Sequence, residues 1–183
     1  MSPHELQILE SLDAILRVDA IHAVIESIVP EVEQKLMQDS TAQMAWLPIP
    51  LSVYGHALPA GILSSWVFIL RAGAPTGAEK HPNSHQRMMS YGGCGDLQTL
   101  IDGEWRSNKL VSDPQAPLLK RWASVPADVW HQAAVPNQNW VVVSFHTVPA
   151  QELIEERPEL GNSEHLVRKT YLSNRADKRE TTT

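Results

Sequence analysis

Leucine and isoleucine recur at helical spacing through residues 5–39, a stretch that contains no glycine. One apolar stripe consists of Leu6, Leu9, Leu12, Ile15 and Leu16, and a second of Ile21, Val24, Ile25 and Ile28. Apolar residues three and four positions apart share one helix face, so this pattern predicts two or three amphipathic helices. We place Pro30 in the first turn of the last helix, where proline is tolerated and where Glu31 and Glu33 suit the helix dipole.

The pattern changes in residues 46–60, whose three prolines and one glycine predict an irregular connector. From Gly61 onward, short apolar runs alternate with turn residues. These runs are SSWVFILRAG, RMMSY, DLQTLI, LLKRWASV, DVWHQAAV and NWVVVSFHTV. The Asp-Gly pair in IDGEW is typical of a tight hairpin. Short strands at regular spacing, with turn residues between them, predict an antiparallel sandwich or barrel.

Composition and charge are those of an ordinary globular protein, with 43% hydrophobic and 20% charged residues among 183. Fifteen basic and 21 acidic residues give a net charge of −6, and the short basic stretch 175–179 is too small for a nucleic-acid-binding surface. Cys94 is the single cysteine, which excludes an internal disulfide and fits a reducing compartment. The charged N-terminus lacks the apolar segment of a secretion signal, and no apolar run reaches membrane-spanning length. We therefore expect a cytoplasmic protein without a nucleic-acid or membrane partner.

A first spaced pattern of polar residues and glycines occupies residues 73–93. Gly73 is followed after five residues by Glu79-x-His81, after four more by Gln86, and after six more by Gly93. This spacing resembles the first motif of the cupin superfamily, a group of small β-barrels, in which a glycine precedes His-x-His, a glutamate and a second glycine. In this chain Glu79 stands at the first histidine and Gln86 at the glutamate.

A second pattern, Pro126-x-Asp128-x-x-His131, resembles the second cupin motif, Pro-x-Gly-x-x-His. Asp128 replaces the glycine of that motif, Lys120 stands at its leading glycine and Val135 at its final asparagine. The resemblance covers residues 61–148. It implies a mainly β fold, a cupin-type antiparallel β-barrel (double-stranded β-helix) with an α-helical N-terminal extension.

We divide the chain accordingly into three parts. Residues 1–45 form the helical extension, residues 46–150 the cupin-type barrel, and residues 151–183 a charged, partly flexible C-terminal segment with a frayed end at 175–183. A homodimer is an expected assembly, since the resemblance implies pairing and the helical extension could supply an interface.

The candidate metal ligands are Glu79, His81 and His131, with Fe(II) as the expected divalent ion. Alternate residues on a strand share a face, so Glu79 and His81 can both point into a barrel, while His131 arrives from another strand. Two imidazoles and one carboxylate, with positions left open, are the donor set of non-haem iron(II) oxygenases. A less extended segment 79–86 would instead give a site of His81, His85 and His131, and this alternative stays open.

Two further residues are candidates for contact with a small-molecule substrate. By the resemblance, Gln86 and Arg87 would orient it, and a glutamine carbonyl can also serve as a weak fourth metal donor or as a hydrogen-bond partner of a ligand. Arg87 and Tyr91 alternate along one strand face, where they would bind an anionic group or simply cover the barrel surface. His146, in the last apolar run, faces either the cavity or a neighbouring strand.

The resemblance implies a metal-dependent enzyme, with non-haem iron dioxygenation of a small thiol or organic acid as the leading hypothesis. The cysteine dioxygenase branch of the superfamily is the comparison for this reaction, on the spacing around His81 and His85. One alternative is an isomerase or lyase in which the metal acts as a Lewis acid. The other is a non-enzymatic cupin that binds a small ligand and whose metal site is degenerate, as the replacements Glu79 and Gln86 suggest.

Overall fold

The N-terminal region folds into two helices in the computed structural model, which describes residues 1–159, 162–170 and 172. Helix α1 spans Pro3–Leu16, and the side chain of Ser2 accepts a hydrogen bond from the Glu5 backbone N–H at its start. Helix α2 spans Asp19–Gln38 and contains Pro30 in its interior. The prediction that Pro30 begins a third helix is therefore wrong. Buried residues on both sides of it, Ile25 and Val32, continue one apolar stripe whose packing offsets the lost backbone hydrogen bond.

The remainder of the described chain is mostly strand. The strands are β1 (Met44–Ile49), β2 (Ser64–Leu70), β3 (Gln86–Gly92), β4 (Cys94–Ile101), β5 (Glu104–Arg106), β6 (Lys109–Val111), β7 (Trp122–Val125), β8 (His131–Ala134), β9 (Trp140–His146), β10 (Ile154–Glu159) and β11 (Asn162–Thr170). A 3₁₀ helix covers Leu51–Tyr54, and the short helix α3 covers Leu118–Arg121. The predicted fold class, mainly β with a helical N-terminal extension, is confirmed.

The strands form two antiparallel sheets and a hairpin. The first sheet has the order β1-β2-β9-β3-β7. In the second, β4 pairs on one edge with β5 and β6 and on the other with β8. β10 and β11 pair with each other as a separate two-stranded sheet, the C-terminal hairpin. Among the described residues the ladders do not join the sheets into a closed barrel, so the architecture is that of two packed sheets.

The first sheet is buried on both faces, because the helices cover one face and the second sheet covers the other. One core cluster joins both helices to Val67, Ile69, Val143 and Phe145. The alternate residues of the same strands, such as Trp66 and Val142, join a second cluster with residues of β4 and β8. The prediction of short apolar strands around a common core is thus confirmed, and the run SSWVFIL of β2 is buried throughout.

Two local predictions fail for identifiable reasons. Residues 46–60 were expected to be an irregular connector, yet their start belongs to β1, an edge strand in which Pro48 is tolerated because one side of the strand needs no ladder donor. The run LLKRWASV was expected to be one strand, but its first half is α3, which begins directly after Pro117. The hairpin predicted at Asp102-Gly103 is present, with both residues at positive φ.

The C-terminal segment is more regular than predicted, since residues 154–170 contain the hairpin β10–β11. The predicted frayed end at 175–183 lies outside the described residues. None of the described helices combines the length and the apolar character that crossing a bilayer requires.

Helix α1 is fixed to the first sheet by a buried carboxylate. Asp13 is 8% exposed and accepts hydrogen bonds from Arg121 (Nη2, 2.9 Å), from Trp122 Nε1 (2.8 Å) and from Arg17 Nε (2.9 Å). The guanidinium of Arg121 is itself buried, so neither member of this ion pair is solvated.

We expect Asp13→Asn to destabilise the fold by roughly 3 kcal/mol, because it leaves the buried Arg121 guanidinium without a counter-charge. Urea denaturation followed by circular dichroism measures the loss. Arg17→Met is the matched control: it removes a half-exposed partner of the same carboxylate, and its cost should stay below about 1 kcal/mol. Equal losses in the two variants would contradict a central role for the Asp13–Arg121 pair.

The two sheets approach closely at Gly95, where a Cβ atom would lie 2.1 Å from the ring of Trp140. That ring cannot move aside easily, because Trp140 is fully buried and its Nε1 donates to Ser90 Oγ at 2.8 Å. Glycine is therefore required at this position for the sheets to pack.

We expect Gly95→Ala to cost about 1–3 kcal/mol through overpacking against Trp140. Thermal unfolding compared with the wild type tests this. Gly92→Ala serves as the control, since its Cβ would meet Val141 at an ordinary 3.4 Å. If Gly95→Ala unfolds at the wild-type temperature, the inferred close approach is absent.

Candidate metal centre

Glu79 and His131 are brought together by backbone pairing. The Glu79 N–H donates to the His131 carbonyl and the His131 N–H donates to the Glu79 carbonyl, both at 2.8 Å. One residue further along, Lys80 forms the same reciprocal pair with Glu156 of β10. Residues 79–81 therefore lie between the β8 strand and the C-terminal hairpin, and this placement fixes the direction of their side chains.

The carboxylate of Glu79 and the imidazoles of His81 and His131 form a compact donor cluster, with one ligand atom from each lying within 4.8 Å of the others. His81 and His131 are both 2% exposed. A metal about 2.1 Å from each donor requires donors somewhat closer than this, which side-chain shifts of under about 1 Å would achieve. We refer to these three residues as the donor cluster.

Both histidines are oriented by their backbone contacts. His81 Nδ1 donates to the Ile154 carbonyl at 2.9 Å, and His131 Nδ1 donates to the Val129 carbonyl at 3.1 Å. Each bond fixes the proton on Nδ1 and leaves Nε2 of the ring as a lone-pair donor. This is the arrangement found for imidazoles that bind metals, in which the second nitrogen is held by an outer partner.

The charge of Glu79 is balanced by Arg157 of β10, whose Nη2 donates to Glu79 Oε2 in a short contact. Burial alone would raise the pKa of this carboxyl, but the close approach of His131 and the charge of Arg157 lower it to about 2. Burial and the neighbouring His131 lower the pKa of His81 to about 4. At neutral pH the cluster therefore presents an ionised carboxylate beside a neutral His81 imidazole, the protonation states that metal binding requires.

Gln86 lies beside the donor cluster and has an unsatisfied acceptor. Its side chain is 8% exposed, and among the described residues no group donates a hydrogen bond to its Oε1. Gln86, Glu79 and His131 line a cavity of about 30 Å³, which is the space of one water molecule. The donor cluster, the buried amide oxygen and this small cavity fit a metal ion with one additional ligand.

His146, which the sequence left undecided, faces the donor cluster. It is fully buried, and its ring meets that of His81 edge-on with a centroid separation of 5.2 Å. Its nitrogens contact Ser84 Oγ at 3.2 Å and Ser144 Oγ at 3.3 Å. Burial, followed by the proximity of His81, lowers the pKa of His146 well below its ordinary value. His146 thus supports the cluster as a neutral neighbour.

His85 and Arg87 lie elsewhere, on the helix-covered face of the first sheet. Arg87 donates to both carboxylate oxygens of Glu5 in α1, each at 2.7 Å. His85 Nε2 contacts Ser124 Oγ at 2.7 Å and lies 3.5 Å from Glu5. Successive residues of a strand point to opposite faces, so Gln86 enters the interior while its neighbours do not. His85, the alternative third histidine, and Arg87, the candidate for orienting substrate, therefore lie away from the donor cluster.

The sequence does not single out Arg157 and leaves the position of His146 undecided. Arg157 is 78 positions from Glu79 and belongs to a segment that was expected to be partly flexible. The sequence indicates a strand at this position only through the spacing of two charged residues. Glu155 and Arg157 are two positions apart and share one face of β10. His146 lies at the end of a strand whose alternation alone does not say which face is interior.

The two spaced sequence patterns, 73–93 and 126–131, thus meet inside one pair of packed antiparallel sheets, with ligand candidates contributed by both. The β-region thus has the mainly β, antiparallel architecture that the resemblance to cupins implies.

Among known proteins, similarity to this chain is found only in solved structures. No protein-family model and no curated protein sequence match the chain. Solved structures similar to this chain include the coconut allergen cocosin (18% identity, TM-score 0.43, covering 58% of this chain and 26% of cocosin). An oxalate oxidase in complex with glycolate has 16% identity and a TM-score of 0.44, with 61% and 56% covered. Bacillus subtilis oxalate decarboxylase, which has Mn(II) centres, has 14% identity and a TM-score of 0.45, with 61% of this chain and 28% of that protein covered.

These similarities assign neither an activity nor a substrate to the chain, because the identities lie below 20% and the TM-scores below 0.5. The chain also spans only about a quarter to a little over half of the length of these proteins. The chemistry therefore has to be inferred from the residues of this chain.

We expect Arg157→Met to raise the pKa of the Glu79 carboxyl, because a buried carboxylate would lose its counter-charge. In the wild type this pKa lies at about 2, below the ordinary 4.5, so Glu79 contributes stability that is present above pH 4.5 and is lost as the pH falls towards 2. The variant should be less stable at neutral pH, and its stability should change less between pH 4.5 and 2. Chemical denaturation at a series of pH values measures both effects.

Arg168→Met is the matched control for this measurement. Arg168 belongs to the same hairpin but is mostly exposed and pairs with Glu156 at 3.4 Å. If the stability of Arg157→Met changes between pH 4.5 and 2 as much as that of the wild type, Arg157 does not set the ionisation of Glu79. The same conclusion follows if both variants differ from the wild type by the same amount.

Proposed function

We propose that the chain is a metal-dependent cupin-type enzyme that uses Fe(II) to dioxygenate a small organic acid or thiol. The observation that carries this proposal is the donor cluster itself. Glu79, His81 and His131 converge within 4.8 Å, and both imidazoles are held through Nδ1 so that Nε2 is the ligand atom. Such a set of two imidazoles and one carboxylate, with open positions, favours a non-haem iron(II) centre.

Each residue of the site would have a distinct role in holding the metal ion. His81, His131 and the carboxylate oxygen of Glu79 that faces His131 would hold the ion. Arg157 would keep the other carboxylate oxygen of Glu79 occupied, so that Glu79 binds through one oxygen only. Gln86 Oε1 would accept a hydrogen bond from a ligand of the ion or serve as a weak additional donor. The ion would supply Lewis acidity and, in the case of iron, reactivity towards O₂.

Mn(II) is the competing metal. Carboxylate oxygens suit manganese, and Bacillus subtilis oxalate decarboxylase, to which the fold is similar, has Mn(II) centres. The two imidazoles among three protein donors favour iron over manganese in this chain. Loading experiments therefore need both ions.

A second candidate function, binding of a metal and a small ligand without turnover, is favoured by one observation. The cavity beside the donor cluster holds about 30 Å³, which leaves room for one water but not for an organic molecule. A site of this size would bind the ion tightly and exclude substrate from its immediate surroundings.

We expect the purified protein to bind one Fe(II) or Mn(II) per chain under anaerobic conditions and His131→Ala to lose this binding, because two protein donors remain. His85→Ala is the matched control and should retain full metal content, since His85 faces Glu5 and Ser124 rather than the cluster. Elemental analysis after desalting gives the stoichiometry. Full metal content in His131→Ala would show that the site lies elsewhere.

Oxygen uptake then distinguishes the candidate functions. Fe(II)-loaded protein should consume O₂ with one or more members of a panel of small organic acids and thiols, and His131→Ala should not. Product formation without O₂ would favour the isomerase or lyase reading instead. Metal binding without turnover of any panel member, with or without O₂, would favour the non-enzymatic function.

A further inference from the structure

The space between the two packed sheets cannot hold an organic ligand in this conformation. The cavity beside Glu79 and His131 has a volume of about 30 Å³, and its other walls are apolar side chains such as Phe68, Leu97 and Val142. A ligand of more than a few atoms must therefore bind next to this cavity rather than within it.

A larger pocket of about 280 Å³ adjoins the small cavity, between the start of β1 and the C-terminal hairpin. Met44 and Thr76 line both spaces, which makes them neighbours. Arg157 separates them: it lines the larger pocket, while its Nη2 donates to Glu79 of the donor cluster and its Nη1 donates to the Thr76 carbonyl at 2.6 Å. The pocket is thus one side chain away from the candidate metal ligands.

The wall of this pocket carries a lysine that no carboxylate of the described chain neutralises directly. Arg157 and Lys169 are its cationic residues, and Glu155 is its acidic residue. The Glu155 carboxylate is directed towards Arg157 Nε rather than towards Lys169, although Glu155 and Lys169 are cross-strand partners. Among the described residues no carboxylate lies within ion-pair distance of the Lys169 ammonium group.

A divalent ion bound to the donor cluster would favour an anionic ligand in the adjoining pocket. Glu79 and Glu155 together offset Arg157 and Lys169, so both charges of a divalent ion on the donor cluster would remain without compensation. A ligand with one or two carboxylates in the adjoining pocket would supply the missing negative charge, and Trp46 provides an apolar wall for its carbon skeleton.

We infer that this pocket, between the start of β1 and the hairpin β10–β11, is the binding site for a small mono- or dicarboxylate that pairs with Lys169. The inference rests on the proposed metal-dependent function, for which it selects organic acids over thiols as the substrate class.

Isothermal titration with succinate, and with its neutral diamide succinamide as the matched ligand, tests the inference on full-length protein. We expect Mn(II)-loaded wild type to bind succinate and not succinamide, because the recognition is electrostatic. Lys169→Met should weaken succinate binding about tenfold or more. Arg168→Met, which removes the adjacent exposed arginine that pairs with Glu156, should leave it unchanged. Elemental analysis of all variants confirms that the metal content is equal.

Three results would overturn the inference: equal affinity for succinate and succinamide, undiminished succinate binding by Lys169→Met, or Mn(II) binding with no succinate binding at all. The last result would leave the proposed metal-dependent function intact. Conversely, protein that binds no metal but still binds succinate in a Lys169-dependent manner would support the pocket and contradict the proposed function. The failures of the two proposals are therefore distinguishable.

Discussion

A buried carboxylate stays ionised where a nearby positive charge or hydrogen bonds compensate for the lost water, and in this chain Arg157 provides a positive charge for Glu79. The requirement places the C-terminal hairpin against the sheets, because Arg157 lies on β10. The same strand accepts a hydrogen bond from His81 at Ile154 and pairs with Lys80 through its backbone. A segment outside the two main sheets thereby sets both the ionisation of one candidate ligand and the orientation of another.

The opposite face of the first sheet relies on the same chemistry. Two carboxylates of helix α1 accept hydrogen bonds from buried guanidinium groups. Glu5 pairs with Arg87, and Asp13 pairs with Arg121. These contacts give the helical extension a defined position in addition to its apolar packing. The sheet thus carries buried ion pairs on both faces, and only the inner one belongs to the candidate metal centre.

Much of this arrangement could be predicted from the sequence, because motif spacing and apolar runs are patterns of residues close together in the chain. The spacing of Glu79, His81 and His131 identified the donor cluster, and the apolar runs identified most strands. The sequence does not show which face of a strand a residue lies on when both faces of that strand are buried. In β3 the residues Gln86 and Arg87 are equally buried, so polarity did not separate interior from helix side. Arg157 was missed because long-range pairing has no local signature.

The shared register of β3 limits how the chain can diverge during evolution. Inserting or deleting one residue within this strand would exchange its two faces, sending the Gln86 amide towards α1 and the Arg87 charge into the interior. The contacts of the helical extension and those of the candidate metal centre therefore cannot change independently, even though they lie on opposite sides of the sheet. Changes in length are expected to accumulate instead at exposed turns such as Asp102-Gly103, where the strands on either side contribute no member of the donor cluster.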